Sequence, residues 1–209
     1  FNEICIINQI YRVKNYLNSD QKIVCEIGGG FGSLASKIKK IYPNKTIILI
    51  DLPESLVLQN FYLSRLFPKN KFFLYSDLNN KDSSKIKISE YDFILLPPWS
   101  KDKLLKKNSV DIVINSRSFM EMDKKVIKEY FNFIHEIIKI DGIFYCLNKK
   151  EKIINNIPIR IAEYPYDENW EIKFCEQNNM HPNMYDIIAR RAEIKNYETF
   201  NILKNLERK

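Results

Sequence analysis

The chain is expected to fold as a doubly wound α/β domain: a mostly parallel, seven-stranded sheet with helices on both faces and a C-terminal antiparallel β-hairpin. Three observations predict it. Short apolar runs alternate with segments of helical periodicity, the pattern of strands joined by right-handed crossover helices. Four of the five glycines crowd into "CEIGGGFGS" at 25–33, directly after an apolar run. Late in the chain, "WEIKFCEQ" (170–177) and "YDIIARRAE" (185–193) are separated by a turn too short for a helix, so they pair antiparallel.

The elements follow in order. Residues 1–20 read as an N-terminal helix, with Ile6, Ile7, Ile10, Tyr11 and Leu17 on one face. "KIVCEI" (22–27) is a short buried strand, and "SLASKIKKIY" (33–42) carries Leu34, Ala35, Ile38, Ile41 and Tyr42 at helical spacing. "TIILID" (46–51) is a second strand, followed by the helix-like "ESLVLQNFYLSRLF" (54–67). "KFFLYS" (71–76), "YDFILLPPW" (91–99) and "VDIVINS" (110–116) are strand candidates. With "VDIVINS" as strand four, "YDFILLPPW" becomes strand three and "KFFLYS" an additional edge strand. A helix over 121–139 turns Ile127, Tyr130, Phe131, Ile134, Ile137 and Ile138 inward and leaves His135 in solvent, and Gly142 stops it before "GIFYCLN" (142–148). A C-terminal helix covers 194–209. Without repeats, low-complexity tracts or linkers, residues 1–209 read as one domain. The opening "FNEICIINQ" lacks a methionine, so an upstream region is expected beyond it.

Composition narrows the function classes. A hydrophobic content of 45% with 13% aromatics argues for a packed core and against disorder. No apolar run approaches the roughly 18 to 20 residues needed to span a membrane. The four cysteines (Cys5, Cys25, Cys146, Cys175) show no CxxC spacing and read as free thiols of a cytoplasmic protein. With two histidines and no Cys/His cluster, no zinc site is expected, and although several carboxylates leave a divalent metal open, no ligand spacing demands one, so no metal ligand is assigned. The net charge of +7 is scattered over "KIKK" (37–40), "KK" (106–107), "KK" (124–125) and "KKEK" (149–152). Those runs lie on different segments, so nucleic acid is not the expected partner.

A strand, a glycine-rich turn and a helix make a nucleotide-type site at the carboxyl end of the strand. A dinucleotide calls for G-x-G-x-x-G. Gly28 and Gly30 fit, with Gly29 between them, but Ser33 holds the third position and the glycine comes one residue early, at Gly32. Glu26 is the sharper clue. A pyrophosphate carries roughly two negative charges and favours N–H groups and the positive helix end, and a carboxylate works against it. S-adenosylmethionine brings an ammonium and a sulfonium, for which Glu26 is helpful. Asp51 ends the second strand 23 residues beyond Gly28, with Leu52 beside it, and can accept both ribose hydroxyls. A NAD site uses the same acid, so Asp51 does not separate the two ligands.

On "VCEIGGGFGSLA", "ILIDLPESL" and the closing hairpin, the chain resembles a class I S-adenosylmethionine-dependent methyltransferase. More narrowly, "EIGGGFGSLA", "DLPESL", "YLSRLFP" and "NSRSFMEM" resemble the sugar O-methyltransferase family of bacterial polysaccharide and antibiotic glycosylation clusters, from about residue 20 to 192. The resemblance implies a Rossmann-like sheet, S-adenosyl-L-methionine as cofactor and a sugar hydroxyl as methyl acceptor. Members of that family are longer at the N-terminus.

"LPPW" (96–99) is similar to the [DNS]-P-P-[YFW] motif of amino-methyltransferases, but the Leu96 side chain cannot accept a hydrogen bond from a target amino group. Pro98 and Trp99 are instead expected near the adenine, with Trp99 stacking on it or serving as loop packing. Asp77 is the fallback adenine contact if "KFFLYS" is strand three.

Methyl transfer from a sulfonium is an in-line displacement, so holding the acceptor oxygen on the methyl axis is the main task. A hydroxyl acceptor also benefits from a general base. The loop after strand four offers Asn115 and Ser116 toward the cofactor, and Arg117 and Ser118 toward the substrate. Arg117 can pair with a phosphate or carboxylate on a sugar nucleotide, or form a surface salt bridge. Glu121 is the first candidate for the base, with capping of the 121–139 helix as its alternative; His181, in "NNMHPNM", is the second, with a solvated loop position as the alternative. Tyr145 and Asn148 end strand five and are expected to line the acceptor pocket.

These readings converge on a cytoplasmic S-adenosylmethionine-dependent O-methyltransferase acting on a sugar or sugar nucleotide, with a homo-oligomer left open. The alternatives are a methyltransferase for RNA or another small molecule, an NAD-binding oxidoreductase, and a non-catalytic cofactor-binding module.

Overall fold

The computed structural model describes residues 2–18, 23–80, 82 and 85–208, which fall into two compact units, Phe1–Lys106 and Lys107–Lys209. The first unit opens with α1 (Asn2–Leu17), whose buried face is Cys5, Ile6, Gln9, Ile10, Val13 and Leu17. That stripe advances by three and four residues, as helix geometry requires. Ile7 and Tyr11, expected on the same face, lie 59% and 61% exposed beside it, because each is one residue, or about 100°, past the stripe.

Next come β1 (Ile23–Ile27), α2 (Ser33–Ile41), β2 (Thr46–Ile50) and α3 (Pro53–Leu66). They are followed by β3 (Phe72–Leu74), the one-turn α4 (Asp77–Asn80), β4 (Phe93–Leu96) and the short α5 (Lys101–Leu104). Strand order in this unit is β3-β4-β2-β1, every pair parallel. "YDFILLPPW" therefore supplies the strand next to β2, and "KFFLYS" the edge. β2 and β4 are buried along their whole length, which is why they read as unbroken apolar runs and not as alternating ones. Within the basic run 37–40, Lys39 is an interior residue. Its ammonium is buried and bonds Lys45 O and Asp92 Oδ1, both at 2.6 Å. Ile41, expected inward, is 55% exposed at the end of α2.

The second unit holds β5 (Val110–Ser116), α6 (Lys124–Ile137), β6 (Ile138–Lys149), β7 (Glu151–Ile154), β8 (Ile157–Arg160), β9 (Trp170–Gln177), β10 (Met184–Arg191) and α7 (Glu198–Arg208). β5 runs parallel to β6; β6 pairs antiparallel with β10, and β10 with β9, which is the expected closing hairpin. The architecture is thus α/β, mostly parallel, with antiparallel C-terminal strands. Eight sheet strands, four per unit, stand where seven were expected. The β7–β8 ribbon was also missed, although its turn has a signal: Asn155 and Asn156 both take positive φ (49° and 64°), the geometry of a two-residue type I′ hairpin.

α6 begins later than expected, because Asp123 caps it by accepting the Val126 N–H at 2.9 Å. Nor does Gly142 end it. The helix passes into β6 at Ile138, and Asp141 takes the left-handed turn (φ 63°). Gly142 is bare for lack of room: a Cβ there would stand 2.7 Å from Ile138 Cγ1 and 2.8 Å from Lys139 O. His135 is not in solvent. Its ring packs 5.9 Å from both Phe131 and Trp170 with Nδ1 3.5 Å from Asp167, because the Trp170 side chain covers that end of α6.

Candidate active site

The glycine loop leaves β1 by a sharp turn. Gly28, Gly30 and Gly32 take φ of 73°, 56° and 86°, a region that costs an L side chain roughly 1–2 kcal/mol per residue. Gly28 N–H donates to Ile50 O (2.9 Å) and ties the loop to the end of β2. Gly29 is small for a different reason: a Cβ would lie 3.0 Å from Glu26 Cδ and 3.1 Å from Glu26 Oε2. A Cβ on Gly30 would meet nothing within 4 Å, so the loop opens outward there and a ligand can reach bare main chain.

The acids behave differently from a pair of solvated carboxylates. Glu26 is 3% exposed, accepts the Ala35 N–H at the start of α2, and keeps Oε2 buried with no hydrogen-bond partner. Burial, and after it the charge of Asp51, push its pKa up to about 8. This corrects the expectation of a standing negative charge: at neutral pH Glu26 of the free chain is mostly protonated. Its unfolded value is near 4.5, so folding takes up a proton, and this group's contribution to stability falls as pH rises from 4.5 through 8.

Asp51 is 9% exposed. Its Oδ2 accepts Gly30 N–H and Gln59 Nε2, each at 2.9 Å, and Oδ1 accepts Leu52 N–H at 2.8 Å. The Ser55 side chain adds a further bond. Burial raises the Asp51 pKa, and these four donors pull it the other way. A carboxylate offers about four lone-pair sites, so Asp51 is not the open acceptor expected: a ribose hydroxyl has to displace one of these donors to reach it. Gln59 was missed in the sequence. Its signal is a polar residue inside the buried stripe Leu56, Gln59, Leu63 of α3. Around the loop, Leu52 and Trp99 are 60% and 58% exposed and Pro98 is half-buried. Trp99 stands at right angles to Tyr75, with ring centroids 6.3 Å apart. Asp77, the fallback adenine contact, accepts Leu74 N–H at 2.8 Å instead.

In the second unit the turn after β5 is held from below by two asparagines. Asn115 and Asn148 are fully buried. Asn115 donates to Ser118 Oγ (2.6 Å) and accepts Phe119 N–H (3.2 Å), while Asn148 donates to Asn115 Oδ1 (2.8 Å) and accepts Met120 N–H (3.1 Å). They shape the turn; neither amide is left for a ligand, which corrects both assignments. Tyr145 is also interior, its hydroxyl donating to the buried Asp186 at 2.6 Å. Ser116, Arg117 and Ser118 stay half-buried at the surface of the turn. Arg117 adopts φ 60° and donates its N–H to Leu147 O at 2.7 Å, while its guanidinium has no partner among the described residues. Glu121 is exposed in a 3₁₀ turn and ion-paired with Lys152, and Asp123, not Glu121, caps α6. His181 is half-buried, its N–H held at 2.9 Å by Asn178 Oδ1, whose amide donates to Asp186 Oδ2 at 2.8 Å. No group of three His, Cys, Asp or Glu among the described residues is arranged to hold a metal ion, and none of the described helices is long and apolar enough to cross a membrane.

Residues 3–72 match the family model described as an O-methyltransferase domain. No curated protein matches the chain in sequence. A SAM-dependent methyltransferase from Aquifex aeolicus shares the fold at TM-score 0.59 and 12% identity, over 88% of this chain and 90% of that one. Geranyl diphosphate C-methyltransferase from Streptomyces coelicolor, solved with Mg2+, geranyl diphosphate and S-adenosyl-L-homocysteine, does so at 0.60 and 10%, over 88% and 77%. Mitomycin 7-O-methyltransferase follows at 0.55 and 13%, over 89% of this chain and only 54% of that one.

The fold is that of the S-adenosylmethionine-dependent methyltransferases. The match over residues 3–72 points the same way for that part of the chain. Gly28–Gly32 form the glycine loop, and the side chains of the first unit nearest to it in the sequence reading are Glu26 and Asp51, both buried, and Leu52, Pro98 and Trp99, which are at least partly exposed. The open face at Gly30 and the unpartnered buried Glu26 Oε2 fit a ligand that brings positive charge to bare main chain.

Proposed function

We propose that the chain transfers a methyl group from S-adenosylmethionine to a hydroxyl of a sugar, nucleotide-linked or part of a glycan precursor, in the cytoplasm. The observation that carries the donor is Glu26: a buried carboxyl without a hydrogen-bond partner on Oε2, directly beneath a glycine loop open at Gly30. The sugar rests on the likeness of "NSRSFMEM" and "DLPESL" to the sugar O-methyltransferases, and the half-buried Ser116, Arg117 and Ser118 supply polar groups for such an acceptor. The fold alone would not choose it, since its neighbours are named for geranyl diphosphate and mitomycin.

S-adenosylmethionine supplies an electrophilic methyl carbon on a sulfonium. The loop main chain and Asp51 hold the nucleoside end, Leu52, Pro98 and Trp99 cover the adenine, and Ser116, Arg117 and Ser118 orient the acceptor. His181 takes the proton that the acceptor hydroxyl loses. It is preferred over Glu121, whose carboxylate is exposed and already ion-paired with Lys152.

Calorimetry tests the donor. A cation bound above Glu26 lowers its pKa from about 8, so binding at pH 7 expels protons. The measured enthalpy of S-adenosylmethionine binding therefore varies with the ionisation enthalpy of the buffer, and affinity rises with pH up to about 8. S-adenosylhomocysteine, which lacks the sulfonium, binds with less proton release, and NADH does not bind. Binding of NADH in place of both would overturn the reading.

For the base, His181→Ala is expected to slow turnover about 10²-fold or more while leaving S-adenosylhomocysteine affinity intact. Glu121→Gln should cost far less. If Glu121→Gln carries the larger loss, the two roles exchange.

A further inference from the structure

We propose that Gln59 is a positioning residue of the cofactor site, the strut that fixes the glycine loop and the ribose acid to each other. Its amide nitrogen donates to Gly30 O and to Asp51 Oδ2, both at 2.9 Å, while Gly30 N–H donates to the same Oδ2 at 2.9 Å. The three groups close a ring in which one carboxylate oxygen and one carboxamide grip both polar groups of a single loop residue. Gln59 has no solvent exposure, so water cannot substitute for it. Its reach depends on the loop sequence as well: a Cβ on Gly32 would stand 3.5 Å from Gln59 Cγ, so a larger residue there would press on the strut.

The ring determines which half of Asp51 a ligand can use. Oδ2 is taken by Gly30 and Gln59 from within, so Oδ1 is the oxygen turned toward the nucleoside. Oδ1 holds Leu52 N–H, a fixed main-chain donor. The Ser55 side chain is the one donor to Asp51 that can rotate away, which leaves it as the group a ribose hydroxyl displaces. Gln59 thus keeps Asp51 pointed at the ligand without touching the ligand itself. This rests on the S-adenosylmethionine reading and adds to it a residue outside the glycine loop and the strand-end acid.

The test is calorimetry of S-adenosylhomocysteine with the full chain, wild type against Gln59→Leu and Gln59→Glu, from pH 5 to 8, with thermal melts to confirm folding. Asp51, directly after β2, and Glu26, in β1, are titratable groups beside the loop, so each variant is compared with wild type at the same pH. Gln59→Leu is expected to weaken binding at least tenfold throughout, roughly one charged hydrogen bond. Gln59→Glu is expected to be equally weak at pH 8, where two carboxylates face each other. At pH 5, where the introduced carboxyl carries a proton and can donate to Asp51, it should return to within about threefold of wild type. A merely space-filling Gln59 would give no such recovery. Wild-type binding with both variants indifferent, or a Gln59→Glu deficit that does not change with pH, overturns the role of Gln59. A wild type that fails to bind S-adenosylhomocysteine removes the donor reading and this proposal with it.

Discussion

Asp51→Ala is expected to weaken S-adenosylhomocysteine binding about a hundredfold, the value of roughly two charged hydrogen bonds at the low end of their range. One loss is the direct contact with the ribose. The other is the loop, because Gly30 N–H and Gln59 Nε2 both lose their acceptor at Oδ2. Gly30 and Leu52 are exposed, so water can satisfy their N–H groups, but Gln59 is sealed and its amide is left with Gly30 O alone. Asp51→Asn keeps the shape but turns one accepting oxygen into an NH2 group that cannot accept, so it should cost about tenfold or more, with its oxygen kept for Gly30 and Gln59 and the Leu52 N–H left to water. A second readout comes from Glu26. The charge of Asp51 is one of the two influences that raise the Glu26 pKa, so both variants should lower it and reduce the protons expelled when S-adenosylmethionine binds. Unchanged affinity together with unchanged proton release would mean that Asp51 only braces the turn.

The contrast between Asp51 and Gln59 shows where the sequence was legible. Glycine clustering, apolar runs and the short late turn report local backbone needs, and those needs are met where they were read: at the loop, at β4 between β2 and β3, and in the β9–β10 hairpin. Side-chain roles depend on which face of an element meets which neighbour, and a one-residue offset moves a group from surface to interior. Asn115 and Asn148 stand next to strand ends, as a ligand-lining reading requires, while β6 runs four residues past Tyr145; all three face inward and are spent on Asp186 and on the turn that carries Arg117. His135 reads as solvated from its charged neighbours, although a long-range partner, Trp170, covers it. Glu26 was read correctly as the acid of the loop and incorrectly as a charge, because spacing gives position and says nothing about desolvation. Gln59 left the faintest trace, a single polar residue in the apolar stripe of α3.

Arg117→Asn is expected to stabilise the chain slightly while impairing the reaction. An arginine at φ 60° carries roughly 1–2 kcal/mol of backbone strain, and asparagine tolerates that region far better. The strained turn persists because Asn115, Asn148 and the Leu147 carbonyl over-determine it. None of those bonds uses the Arg117 side chain, so the substitution leaves the clamp whole and should raise the denaturation free energy by about 0.5 kcal/mol or more. What it removes is a guanidinium without a partner among the described residues, at the carboxyl end of β5. If that group grips an anionic acceptor, KM for a sugar nucleotide should rise about tenfold or more, the worth of a charge-assisted hydrogen bond, while KM for a neutral sugar and the affinity for S-adenosylhomocysteine stay put. Arg117→Lys should recover part of the loss, because it restores the charge without the forked geometry. A variant that loses stability would make Arg117 a packing residue, and one that treats charged and neutral acceptors alike would take the anion out of the acceptor's description.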